Sequence, residues 1–110
     1  MKLLPLVLAS IVLVITGAAT ATDIPEYTLS IRNHTYEPAQ LKVPANTKFK
    51  LLVRNEDVTP EEFESTEFNR EMVVLPSSSV TVYVGPLRAG TYGFFGDFHP
   101  DTAQGRLIVE

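Results

Sequence analysis

Cysteine is absent from the 110 residues. Disulfides, thiolate nucleophiles, iron–sulfur clusters and zinc fingers are therefore excluded, and so is a lipid anchor on a cysteine. Basic residues are few, 9 against 13 acidic ones, for a net charge of −4. That balance argues against nucleic acid as a partner, because phosphate binding needs a surplus of Lys and Arg. Only two histidines occur, His34 and His99, and neither falls in a recognisable Ser-His-Asp order. Glycine-rich phosphate loops are missing. After residue 22 no segment carries an apolar period near 3.6, so no helix is expected there. The one long apolar run, residues 3–15, has about 13 residues, short of the roughly 20 that span a bilayer.

That run reads as export machinery. Lys2 precedes it, and the small residues Ala19-Thr20-Ala21 follow it, which fits a signal peptide over residues 1–21 with cleavage after Ala21. An uncleaved membrane anchor is the alternative. Removal of the signal leaves about 89 residues with a net charge of −5, one modest core, and no membrane span. The expected location is the periplasm. Residues 22–26 read as a flexible lead-in, and residues 27–110 as a single domain.

Within that domain apolar residues alternate with polar ones. Tyr27, Leu29 and Ile31 share one side of a strand; Phe49, Leu51 and Val53 share one side of the clearest strand, against Lys48, Lys50 and Arg54. Val80, Val82 and Val84 repeat the pattern. Shorter strands are expected at residues 41–44, 71–75, 92–95 and 105–109, with an extended piece around Phe63. Residues 33–38 read as a loop. Prolines sit at strand ends or in loops, as the missing backbone donor requires. Short strands broken by turns every 8 to 12 residues predict an all-β, Greek-key antiparallel β-sandwich.

The chemistry-bearing residues fall in two loops. Gly96-Asp97-Phe98-His99-Pro100 carries a carboxylate and an imidazole two residues apart, which an extended chain would point to one side. Glu61-Glu62-Phe63-Glu64 carries another pair at the same spacing, Glu62 and Glu64. If the loops meet, Glu62, Glu64, Asp97 and His99 make a metal site of three carboxylates and one imidazole. Such a set suits Fe(II), Fe(III), Mn(II), Zn(II) or Cu(II) over Cu(I). Glu61 alternates to the other side and is a weaker candidate. Glu67 and Glu71 could stand behind the ligands, and His34 reads as an exposed loop residue. The plain alternatives are a solvated acidic face for Glu62 and Glu64, a turn for Asp97, and a backbone-bonded loop histidine for His99. Tyr36, Phe63, Phe94, Phe95 and Phe98 read as packing, with one or two left for a docking patch.

The order of these elements resembles a cupredoxin. Asn55-Glu56-Asp57 ends a strand, Leu87-Arg88-Ala89-Gly90-Thr91-Tyr92 leads into the loop that would hold the metal, and Gly105 opens a closing strand. Glu62-Phe63-Glu64-Ser65, Asn69-Arg70-Glu71 and Gly96-Asp97-Phe98-His99-Pro100 are similar to the cupredoxin-like domain of exported iron-uptake proteins of the EfeO type. Within that group the resemblance is to the stand-alone, FtrB-like cupredoxin component of ferrous-iron uptake. A blue-copper site needs two histidines, a cysteine and usually an axial methionine. Here Gly96 stands where the cysteine would be, the 61–64 run stands where the first histidine would be, and no methionine follows His99. A type 1 copper centre is therefore excluded.

The resemblance implies a periplasmic protein that binds iron, with copper as a second ion, for an iron permease or another periplasmic uptake component. Two other readings stand beside it. One is a sandwich that lost metal binding and docks on a membrane or periplasmic partner. The other is a small metal oxidase acting on Fe(II). A paired-carboxylate hydrolase has little room for a substrate cleft in so short a domain.

Overall fold

A computed structural model describes residues 2–5, 10–13 and 23–110. The expected cleavage point after Ala21 lies outside the described residues. Leu3, Leu4 and residues 11–13 are exposed and add nothing to the core. Among the described residues no helix is long and apolar enough to cross a membrane.

Nine strands follow one another: β1 (Glu26–Arg32), β2 (Thr35–Glu37), β3 (Gln40–Val43), β4 (Phe49–Asn55), β5 (Glu61–Ser65), β6 (Arg70–Val74), β7 (Ser79–Val84), β8 (Gly90–Gly96) and β9 (Gln104–Val109). They form two packed sheets, ordered β2-β1-β4-β7 and β3-β9-β8-β5-β6. The expected β-sandwich is present. The expectation of wholly antiparallel pairing is corrected in two places: β1 runs parallel to β4, and β3 runs parallel to β9. The chain crosses between sheets at those points, and alternation within a strand carries no record of its neighbour's direction.

The inward residues are those the alternation marks. Leu29 and Ile31 from β1, Phe49, Leu51 and Val53 from β4, and Val82 and Val84 from β7 meet Phe63, Phe94, Leu107 and Val109 of the other sheet. Phe63 and Phe94 lie 5.5 Å apart by ring centroid, and Tyr36 meets Phe94 edge-on at 5.0 Å. Such offset and edge-to-face contacts are the favourable aromatic arrangements. Tyr36 comes from β2, inside the segment expected to be a loop, and its hydroxyl donates to the Phe95 carbonyl at 3.2 Å.

The turn before β2 is a two-residue hairpin loop, with Arg32 opposite Thr35. Asn33 and His34 both take the left-handed conformation, at φ 53° and 57°, as a hairpin twist of this kind demands. The Asp57 carboxylate accepts both of their backbone N–H groups, at 2.8 Å and 3.0 Å. Asp57 is itself placed by Asn55, whose Oδ1 accepts from its N–H at 3.0 Å while Nδ2 donates to the carbonyls of Thr59 and Val74. The loops at this end of the sandwich are thus tied by polar contacts, from buried Asn55 and half-buried Asp57.

Phe94 also fixes what β9 can carry. A methyl group built on Gly105 would lie 2.5 Å from Phe94 Cε2 and closer still to its Cζ, too close to this ring of the aromatic cluster. Gly105→Ala is therefore expected to overpack the core and lower the unfolding free energy by about 1–3 kcal/mol. Urea denaturation followed by tyrosine fluorescence measures this; an unchanged midpoint would show that β9 is free to move away from Phe94.

Candidate metal site

Strand β5 sets the site. Its alternation sends Glu61, Phe63 and Ser65 into the sandwich and leaves Glu62 and Glu64 half-buried on the outer face of the five-stranded sheet. Glu64 lies opposite Glu71 of β6 and Phe95 of β8. Asp97 follows the last residue of β8 and is held against β5 by its N–H, which donates to the Glu62 carbonyl at 2.9 Å. Carboxylate oxygens of Glu62, Glu64 and Asp97 consequently lie within 4.8 Å of one another. None of the ion pairs formed among the described residues includes them.

Like charges at that spacing hold protons. Glu62 is pushed up to about 7, first by a hydrogen bond shared with the Glu71 carboxyl, then by desolvation and by the charges of Glu71, Asp97 and Glu64. Glu64 is also raised, by desolvation and then by Asp97 and Glu71. A raised value is the expected response of paired carboxylates, each of which disfavours the charged form of its neighbour. Glu71 belongs to the same patch.

The expected fourth member, His99, is not in this group. Strand β8 stops at Gly96, and the chain turns at once: the His99 N–H donates to the Gly96 carbonyl at 3.1 Å, and the Ala103 N–H donates to the His99 carbonyl at 2.9 Å. The two-residue alternation that would put Asp97 and His99 on one side applies only to an extended chain. The turn sends Asp97 outward and His99 toward the interior. There His99 Nδ1 meets Glu61 Oε2 at 2.6 Å.

Glu61 is the residue the sequence reading ranked too low. It is only 1% exposed. Its Oε1 accepts the N–H groups of Phe98 at 2.9 Å and Glu62 at 3.1 Å, and its Oε2 takes His99. A methyl group at Gly96 would lie 2.5 Å from Glu61 Cδ and 2.7 Å from Ala103 Cβ. The Glu61 carboxylate therefore fills the space a side chain at position 96 would need. The arrangement does not fit a type 1 copper centre: there is no thiolate, the volume for one is taken, and His99 Nδ1 is engaged. The signal was legible in principle, since strand alternation puts Glu61 inside, and a buried carboxylate requires partners.

His34 is also not the exposed residue expected. It is half-buried, with its ring stacked on His99 at a centroid distance of 3.6 Å and an interplanar angle of 9°. Glu67 lies away from the cluster, where its carboxylate accepts the Gly93 N–H. It borders a groove of about 370 Å³ over β8 and β9.

The raised Glu62 has a consequence for stability. Its ordinary value is 4.5, so between about pH 4.5 and pH 7 the unfolded chain has lost a proton that the folded chain keeps. This group's contribution is full below that window and is lost as pH rises through about 7. Glu71→Gln removes the carboxyl that shares the proton and should flatten the decline. Thermal melting between pH 4 and pH 8 checks this; parallel curves for the two proteins would show that the carboxyls do not share a proton.

Comparison with known proteins agrees with this fold. The model of the cupredoxin-like domain matches residues 5–109. A Rickettsia prowazekii (strain Madrid E) protein, described only as uncharacterized protein RP394, is 44% identical over 90 residues, 82% of this chain and 72% of its own. Auracyanin A, a "blue" copper protein of Chloroflexus aurantiacus, superposes with a TM-score of 0.69 at 13% identity, covering 80% of this chain and 100% of that one. Amicyanin from Paracoccus versutus gives 0.62 at 19% identity, covering 84% and 87%. The metal-binding domain of the Cu(I)-exporting P-type ATPase CopA of Streptococcus pneumoniae D39 gives 0.69 at 12%, covering 82% and 89%. The structural likenesses speak for the fold and the family match for descent: this chain belongs to the cupredoxin-like domain family.

Proposed function

We propose that this is an exported, periplasmic metal-binding protein that serves a membrane ferrous-iron uptake system, with Glu62, Glu64 and Asp97 as its ligands. The observation that carries the reading is the carboxylate cluster itself. Three acidic groups from β5 and the end of β8 are brought together by backbone register, with Glu71 beside them and Glu62 raised by its acidic neighbours. Hard oxygen donors suit hard ions generally, so the choice of iron rests on the resemblance to iron-uptake proteins, and raw affinity makes Cu(II) the strongest competitor. The solvent-facing position suits capture and handover to an iron permease or another periplasmic component. The signal-like N-terminal run supports export, and the resemblance to EfeO-type and FtrB-like proteins supports iron.

One observation favours the docking reading as well. Val58 in the β4–β5 loop is 87% exposed, and Phe98 in the β8–β9 loop is 45% exposed. Both loops lie at the end of the sandwich that carries Asp97. Exposed apolar side chains beside a site often mark a partner surface, and on this reading the patch would meet the partner that receives the ion.

Calorimetric titration with Fe(II) under nitrogen tests the assignment. About one equivalent should bind, and Glu64→Ala and Asp97→Ala should each weaken binding roughly tenfold or more, in line with the loss of a ligand-shell group. Binding should strengthen as pH rises through about 7, with a proton released from Glu62. A folded protein that binds no ion, or binds it unchanged in both variants, would leave the docking module as the function.

A further inference from the structure

An open sheet ends in strand edges, whose free backbone N–H and C=O groups are a template for another chain. Here the edges are β2 and β7 of one sheet and β3 and β6 of the other. Three of them are blunted. β2 has only three residues. β3 carries Lys42 and is followed at once by Pro44. β7 is partly covered, its Tyr83 carbonyl accepting from Arg70 Nε at 2.7 Å. Short length, lysine and proline are ordinary protections of an edge.

β6 has none of these. Its sequence, Arg70-Glu71-Met72-Val73-Val74, holds no lysine, proline or glycine. It pairs with β5 on one side, and among the described residues it makes no other backbone-to-backbone hydrogen bond. Four of its five residues are exposed. Met72 is 39% and Val73 46% exposed, and Leu75 just beyond the strand is 62% exposed. Apolar residues with a preference for strands, left in water on an unprotected edge, make a site for strand pairing.

We propose that β6 accepts an extended, basic segment of another protein as a further strand of its sheet. Strand addition of this kind takes affinity from main-chain hydrogen bonds and specificity from alternate side chains. The acidic neighbours choose the occupant. On the outer face Glu71 stands opposite Glu64, and Val73 stands opposite Glu62. An added strand sets one outward residue beside Glu71 and the next but one beside Val73, because residues opposite each other share a face. A lysine or arginine fits the first position, and an apolar side chain fits the second. A second copy of β6 fits less well: it brings further carboxylates to the same sheet face, on a chain of net charge −4.

Fluorescence anisotropy with the full chain in non-ionic detergent, free of metal ions, tests this with the labelled peptide Val-Thr-Val-Val-Lys-Thr-Lys. The peptide should bind, and roughly tenfold or more weakly when glutamate replaces both lysines, through like-charge repulsion. Glu71→Gln should weaken binding about threefold, the loss of one cross-strand charge pair. N-methylation of one set of alternate peptide residues should abolish binding while the other set is tolerated, since alternate N–H groups face the partner strand. Charge attraction alone gives no such pattern. Val73→Lys should abolish binding with Glu62, Glu64 and Asp97 left in place, so this edge and the metal site fail or stand separately. Circular dichroism confirms that each variant is folded, and the peptide series needs only the native protein. No binding, equal binding of the glutamate peptide, or an equal effect of the two methylations would overturn the assignment. So would a native dimer in sedimentation that Val73→Lys dissolves, which would give the edge to a second copy.

Discussion

The buried carboxylate of Glu61 is the constraint on which this end of the sandwich depends. An ionised carboxylate removed from water is strongly unfavourable unless its oxygens are bonded, and the fold supplies donors for both. Two are backbone N–H groups, from Glu62 and Phe98, and the third is the His99 ring. Those bonds fasten β5 to the loop after β8, and the loop's turn then decides that Asp97 faces out and His99 faces in. Gly96 follows from the same fact, because the carboxylate stands where its side chain would be. The lack of a thiol and the presence of a glutamate are therefore one structural feature. A cysteine at position 96 would have to displace the group that organises the loop.

Strand β5 separates two kinds of acidic residue by parity alone. Glu61 lies inward and is satisfied by donors. Glu62 and Glu64 lie outward, and the sheet gives them further carboxylates, Glu71 across the strand pair and Asp97 from the adjacent loop. The strands' hydrogen bonds hold the carboxyls together, so the acids cannot drift apart without loss of pairing. Their proximity raises Glu62, first through its hydrogen bond to Glu71, and so favours its protonated form. The apolar core built on Phe63 and Phe94 keeps this outer arrangement in register.

Much of the fold could be read from alternation, because burial on one face of a strand imprints a period of two. β1, β4 and β7 are the clear cases, and the pattern on β5 told Glu61 from its neighbours. Strand direction could not be read that way, which is why the parallel β1–β4 and β3–β9 pairs were unforeseen. β2 was hidden because its hairpin turn is Asn33-His34 rather than an asparagine–glycine pair, and its single inward residue is Tyr36. At the site, the meeting of Glu62, Glu64 and Asp97 was legible from spacing plus family resemblance. His99 was misplaced because a strand rule was carried three residues past the end of β8. His34 could not have been placed, since nothing local in a sequence tells which distant ring a loop histidine will meet.

The likeness to copper proteins extends to the fold. Neighbours at 12–19% identity share the sandwich, and a fold hosts many chemistries. What differs here is where unsatisfied donors remain. In the interior, Glu61 and His99 Nδ1 satisfy one another, and Gly96 offers no ligand atom. Carboxylate oxygens that enter no ion pair among the described residues lie further out, on Glu62, Glu64 and Asp97 beside β5. The internal hydrogen bond between Glu61 and His99 thus leaves the accessible acidic oxygens on the outer sheet face, where the alternation of β5 places them beside solvent.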